Sequence, residues 1–239
     1  MLDPQPAPRI GAPPNVARPA RDERSPRGAH PDLVLLPPGH PNVLELEALP
    51  PQLNWPAIFG SSGNGDPRKT VLELGCATGT FLLHRADQLP AANLIGVEFA
   101  NKYFIKAAER ARKRNLTNIR VIRTEASQFV CSRLADRSLD ECHIYHPDPW
   151  PKERHHKRRL IQPPFLSALQ RVLSPGGFIV FQSDHEEYFG WAMERIQRTF
   201  RVELHPQAWP DAPDGRTNWE IKFLRQGLPI WRLIARLHG

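Results

Sequence analysis

Asp148 stands between two prolines, Pro147 and Pro149, and is followed at once by Trp150. From Lys152 to Arg159 the chain places five Lys or Arg against one Glu, a local charge of +4 before His155 and His156 are counted. The prolines restrict the backbone on both sides of the acid. Trp150 offers a ring face on which a base can stack, worth on the order of 1–3 kcal/mol. Lys152, Arg154, Lys157, Arg158 and Arg159 suit phosphate neutralisation, with an affinity that falls as salt rises. A rigid acid and aromatic beside a phosphate clamp fit chemistry on a base within a nucleic acid. The plainer alternative is a proline-rich turn with a capping Asp, followed by a solvated helix face. His155 and His156 are neighbours that point different ways, and no Cys or acid completes a ligand set, so no metal is expected.

A second constellation is Glu73-Leu74-Gly75-Cys76-Ala77-Thr78-Gly79, at a strand-to-helix turn. Gly75 and Gly79 let the backbone approach a ligand closely. A dinucleotide pyrophosphate gains nothing from the carboxylate of Glu73. S-adenosylmethionine (SAM) has no phosphate, and its ammonium and sulfonium suit an acid. Glu98 closes the next strand, where such folds bind ribose hydroxyls. Glu125 ends the third strand and is either an adenine-flanking acid or a helix N-cap. Asp184 and Glu220 are acids at element ends that the sequence alone leaves open between site and terminus.

The net charge of +7 favours an anionic partner, with nucleic acid foremost. Residues 1–50 carry five Arg and six acids, so the basic character belongs to the remainder of the chain. Three cysteines without CxxC spacing, and no signal-peptide pattern, lead to the expectation of a reducing cytoplasm. No apolar run is long enough to span a membrane. No obligatory protein partner is implied, and monomer and homodimer both stay open.

The elements that must position these groups follow an alternating pattern. Twelve of the 26 prolines lie in residues 1–50, and about 1–40 reads as a disordered tail before a domain over 41–239. Apolar residues between 41 and 59 are expected to dock on the core, and Ser61–Pro67 to form a linker. Strands are expected at 71–74, 94–99, 119–123, 139–145 and 178–182, with closing strands at 202–204 and 220–224. Helices are expected at 81–89, 100–115, 127–134, 165–173 and 187–200, with a turn at 174–177. The charged face of the second helix, including Lys102, Lys106 and Arg110, reads as ordinary solvated surface. Alternation of this kind means a mainly parallel sheet with helices on both faces.

With these residues in view, the chain resembles the tRNA (guanine-N7-)-methyltransferase family, from about Leu53 to Leu237. The resemblance rests on Pro147-Asp148-Pro149-Trp150-Pro151-Lys152 with Arg154-His155 and Lys157-Arg158-Arg159-Leu160, and on Thr217-x-x-Glu220. It implies a Rossmann-like class I SAM-dependent methyltransferase with a seven-stranded sheet. It implies that Glu73, Glu98, Glu125 and Asp148 bind SAM, that Asp148 is catalytic, and that Lys152, Asp184 and Thr217-Asn218-Trp219-Glu220 bind substrate. The implied product is 7-methylguanosine at position 46, in the tRNA variable loop. Three departures stand out: Ala77 replaces a glycine found in many members, Glu125 an Asp, and His146 a common Phe. The rival readings are an adenine or cytosine amino methyltransferase, an RNA-binding module with a degenerate SAM loop, and, more remotely, an NAD dehydrogenase.

Overall fold

The computed structural model describes residues 36–60 and 68–238. Seven strands form one sheet: β1 (Thr70–Leu74), β2 (Asn93–Val97), β3 (Ile119–Ile122), β4 (Leu139–Tyr145), β5 (Leu173–Ser183), β6 (Arg201–Leu204) and β7 (Trp231–Arg236). Their order is β3-β2-β1-β4-β5-β7-β6. The first five run parallel, and β7 lies antiparallel between β5 and β6. The chain reverses its direction of travel between β1 and β4, so the crevice at their carboxyl ends is where ligands bind in such sheets.

Period-two alternation sorts the core into two layers. Val71, Leu94 and Val121 pack with the helices α2 (Thr80–Gln88) and α3 (Asn101–Lys113). Leu72, Leu74, Ile95, Val97 and Ile122 face the other way, toward α4 (Ala126–Arg133), α5 (Pro163–Val172) and α6 (Glu186–Ile196). Glu73 therefore shares the face of Val71, and its carboxylate is carried into the α2 side.

The segment before β1 docks as expected. Leu44 N–H donates to the Val121 carbonyl, and Trp55, in the short α1 (Trp55–Phe59), is buried with its indole N–H on the Ser138 carbonyl. The tail expected over 1–40 lies outside the described residues as far as 35. His40 is already buried against Glu109. The linker expected at Ser61–Pro67 also lies outside the described residues.

Two expectations are corrected. Glu220–Leu224 is not a strand: it lies in the helix α7 (Asn218–Arg225), and the closing strand is Trp231–Arg236. Thr217 caps this helix, its hydroxyl accepting from Glu220 N–H, and the cap decides between two periods that a short apolar run fits equally. The turn expected at 174–177 lies within β5, whose pairing with β4 shifts register between Leu139 and Glu141.

Candidate active site

The turn after β1 is shaped by three left-handed residues, Gly75 (φ 76°), Ala77 (φ 47°) and Gly79 (φ 74°). Two glycines take this conformation without cost, whereas Ala77 carries a Cβ penalty of about 1 kcal/mol. The departure at Ala77 is thus a matter of backbone strain as well as of crowding. Gly75 and Cys76 N–H both donate to the Val97 carbonyl, which ties the turn to the end of β2.

Glu98 sits just past that end. Its two carboxylate oxygens accept from Ala77 N–H (2.9 Å) and Ala100 N–H (2.8 Å). A carboxylate has about four acceptor sites, so this arrangement leaves capacity for two ribose hydroxyls. Glu73 is buried, and its Oε2 has no hydrogen-bond partner among the described residues. Burial pushes its carboxyl well above the ordinary range, the Leu82 backbone amide pulls it back, and Glu98 adds repulsion. Burial, with Glu73 and Glu98 beside it, likewise pushes the Cys76 thiol up, which keeps it neutral. An orphaned buried carboxylate oxygen calls for a cation or a donor. Glu73, Gly75, Ala77, Tyr103, Tyr145 and Asn218 are among the residues that line the cavity at this turn.

The roof of the cavity is the start of α7. Asn218 donates to the Thr78 hydroxyl and accepts from the Thr80 hydroxyl, both at 3.1 Å. Arg110 reaches the same two threonines and the Thr78 carbonyl (2.6 Å). It is therefore turned inward to brace the loop, contrary to its expected place on a solvated face. Trp219 is 45% exposed at the cavity mouth and stacks on Phe223.

Glu220 is fully buried. It accepts from Arg216 N–H (2.6 Å) and from two nitrogens of Arg232. Expected among the substrate-binding residues, its side chain is enclosed by protein and fixes the segment that carries Asn218 and Trp219. Glu125 caps α4 through Ser127 and Gln128 N–H.

A polar ladder runs along β4 toward the cavity. Alternate residues Glu141, His143 and Tyr145 are all buried. His143 Nε2 lies 2.9 Å from Glu141 and Nδ1 lies 2.8 Å from the Tyr145 hydroxyl, which accepts from Arg216. Burial alone would raise the Glu141 carboxyl, but hydrogen bonds from His143 and Lys69 and the charge of Arg85 hold it well below the usual range. The ladder was not legible in the sequence as a site feature. Its only trace is the polar alternation inside an otherwise apolar strand.

Asp148 and Asp184 leave the same end of two adjacent parallel strands. Tyr145 pairs with Gln182, and His146 N–H donates to the Gln182 carbonyl (2.8 Å). Asp148 is exposed beyond this point. His146 (φ 49°) and Trp150 (φ 42°) are both left-handed and turn the chain at either end of the Pro-Asp-Pro segment.

The cation run splits. Lys152, Arg154, Lys157 and Arg158 are exposed, over a 3-10 turn at Glu153–Arg158. The Arg158 guanidinium lies 5.0 Å from the Trp150 ring centroid, so one ring face is already covered by protein. Arg159, expected with the phosphate contacts, is buried and faces the protein. Its fork grips Glu187 at 3.0 and 2.6 Å, its Nε donates to the Pro149 carbonyl, and it lies over Tyr188 and Trp191.

A family model described as "Putative methyltransferase" matches residues 67–233. Curated relatives named tRNA (guanine-N(7)-)-methyltransferase include one from Neisseria meningitidis serogroup A, 34% identical and covering 82% of this chain and 80% of that protein. One from Bordetella pertussis is 34% identical over 78% of this chain and 72% of that protein. Among solved structures, a precorrin-6y C5,15-methyltransferase from Geobacter metallireducens matches with a TM-score of 0.52 at 13% identity, over 71% of this chain and 80% of that one. The 16S rRNA methyltransferase KamB matches with a TM-score of 0.52 at 16% identity, over 72% and 88%. These two likenesses bear on fold alone.

Proposed function

The chain belongs to the tRNA (guanine-N7-)-methyltransferase family, and from that premise we propose that it transfers the methyl group of SAM to N7 of a guanine in tRNA. The observation that carries this reading is the orphaned Glu73 oxygen in a cavity roofed by Asn218 and Trp219. A buried acid fits a cationic donor, and the roof fits a base presented from above. The variable-loop guanine at position 46 is the target that the resemblance implies.

SAM supplies a methyl group already activated on a sulfonium. Glu73 would hold its cationic end, and Glu98 its ribose. Gly75 and Gly79 let the turn approach it. The resemblance implies that Glu125 flanks the adenine, beside its capping role.

Guanine N7 has an in-plane lone pair and no proton. With SAM bound, that lone pair would take up the methyl carbon, the C–S bonding pair leaving with sulfur as the N–C bond forms. The positive charge passes to the purine, so no general base is required. Asp148 stabilises the charge that develops on the ring and orients the base by its N1 and N2 edge. Asp184 shares that orienting role, and Lys152 binds substrate beside it. Thr217 sets the start of α7, which presents Asn218 and Trp219. Arg154, Lys157 and Arg158 contact tRNA phosphates. Most of the rate comes from proximity and orientation.

The test is methyl transfer from labelled SAM to unmodified tRNA transcripts, with the product nucleoside identified and mapped. Label in 7-methylguanosine at the variable loop is the expected result. Label in methylated adenine or cytosine amino groups overturns the reading, and so does an absence of SAM binding by calorimetry.

A further inference from the structure

Four side chains link the loop before α7 to the end of β5. The Trp209 indole nitrogen lies 2.6 Å from Gln182 Oε1. Gln182 Nε2 lies 2.7 Å from His146 Nε2, and His146 Nδ1 lies 3.1 Å from Asp184 Oδ1. Trp209 is 2% exposed, Gln182 0%, and the His146 side chain 1%.

The direction of every bond in this chain follows from donor and acceptor inventories. An indole N–H only donates, so Gln182 must present its carbonyl oxygen to Trp209. Turning the amide over would set two N–H groups face to face. The Gln182 NH2 therefore faces His146, whose Nε2 must accept. The ring proton then resides on Nδ1, which donates to Asp184. A buried imidazole between one donor and one carboxylate acceptor has its tautomer dictated by its neighbours.

His146 also fixes where that donor points. Its left-handed backbone turns the ring back over the β4–β5 pair, and the ring packs edge-on against Phe223 of α7 at 5.3 Å. Phe223 in turn stacks on Trp219. One ring thus touches the ends of β4 and β5 and the helix that roofs the cavity. Arg216 covers Trp209 at 4.3 Å, which anchors the far end of the chain of bonds.

We propose that His146 is a positioning residue for methyl transfer: through the directed chain Trp209–Gln182–His146 it delivers an Nδ1 proton to Asp184 and holds that carboxylate in the orientation the guanine requires. The proposal rests on the assignment of Asp184 to the guanine side. A mobile Asp184 would have to be ordered in each encounter with substrate, and a preset one is not.

Two measurements test it, both on the full chain. The first is two-bond 1H–15N correlation of the histidine rings, with the His146 signals identified by their loss in His146→Phe. The expected pattern is a proton on Nδ1 and a bare Nε2. A proton on Nε2 overturns the relay. The second is a kinetic cycle of His146→Phe, Asp184→Ala and the double variant. His146→Phe is expected to lower kcat/KM for tRNA about tenfold, the loss of one hydrogen bond to a charged group, with KM for SAM unchanged. The double variant is expected to be no worse than Asp184→Ala, because a phenyl ring keeps the packing on Phe223 and what His146→Phe removes is the hydrogen bond to that carboxylate. Losses that multiply overturn the proposal. His146→Asn, whose side-chain N–H replaces the Nδ1 donor, is expected to return activity to within about threefold of the parent. Trp209→Phe supplies a milder break if His146→Phe does not fold, and is expected to mix the tautomers; an unmixed Nδ1–H ring there overturns the role given to Trp209. Normal turnover by Asp184→Ala overturns the guanine-side role of Asp184 itself, and with it the functional half of the proposal, even where the ring carries its proton on Nδ1.

Discussion

Arg159 and Glu187 close a bidentate pair at 3.0 and 2.6 Å, with the arginine side chain fully buried and the glutamate half-exposed. The same guanidinium donates to the Pro149 carbonyl, one residue beyond Asp148. The last cation of a run that looks uniform in sequence is thus the strut that fixes the Pro147–Trp150 loop to α6. Arg159→Ala removes the main partner of the half-exposed Glu187 and the donor to Pro149 O, and is expected to destabilise the fold by about 1–3 kcal/mol. Arg159→Lys keeps the charge but not the fork, and should recover only part of that stability. Chemical denaturation of the three proteins checks this. An Arg159→Ala protein of parental stability, altered only in the salt dependence of tRNA binding, would return Arg159 to the phosphate contacts.

Lys157 and Arg154, by contrast, are exposed, and their substitution should leave stability within about 0.5 kcal/mol. Each change to Ala should weaken tRNA binding and reduce the slope of log K against log salt by about 0.7–0.9. Asp148→Ala is expected to do the opposite. It should cut kcat by about 100-fold or more, in line with the loss of a group aimed at developing charge, with tRNA affinity near parental. Binding titrations at several salt concentrations, set beside single-turnover rates, separate the two classes. An unchanged slope in Lys157→Ala sinks the clamp, and near-normal turnover in Asp148→Ala sinks the electrostatic role.

Glu73 sets ligand affinity against stability. Its buried carboxyl is pushed well up by desolvation, so the folded protein alone bears a cost for holding it ionised. Glu73→Gln keeps the shape and removes the charge. It should stabilise the ligand-free protein by about 1–2 kcal/mol at neutral pH while weakening SAM binding at least tenfold. Thermal melts with and without SAM read both effects, and a variant that loses stability without losing SAM affinity contradicts the assignment.

The parts of this molecule legible in sequence are those decided by neighbours along the chain. The β1 turn was readable because Gly75 and Gly79 flank a short apolar strand. The rigid loop was readable because Pro147 and Pro149 act on Asp148 directly. What stayed hidden depends on contacts between distant residues. Nothing in a run of five cations marks Arg159 as the one that turns inward; the acceptor that draws it, Glu187, lies 28 residues on. Glu220–Leu224 fits a strand period as well as a helical one, and the cap by Thr217 decides it. The link from Gln182 to His146 exists only because sheet register sets Gln182 opposite Tyr145.

The β4 ladder makes the fold sensitive to acid. Burial disfavours the charged form of the His143 ring, and Arg216 and Arg85 repel it, so its folded pKa lies below the ordinary value even though Glu141 opposes the shift. In the unfolded chain the same ring takes up a proton near pH 6.5. Between the folded and unfolded values the unfolded state binds more protons, so stability rises with pH there and falls on acidification below about 6.5. The slope due to this one group is at most about 1.4 kcal/mol per pH unit in that window. Glu141 acts in the same direction: its folded pKa is depressed, so its contribution is present above the unfolded carboxyl value and is lost as pH falls toward the folded one. His143→Gln keeps a donor for Glu141 but cannot titrate. Urea denaturation between pH 5 and pH 7 should therefore show a shallower acid slope in His143→Gln than in the parent, by at most about one proton. Equal slopes would mean that the buried ring is already protonated in the folded protein, and the Tyr145 hydroxyl would then need another acceptor for its proton.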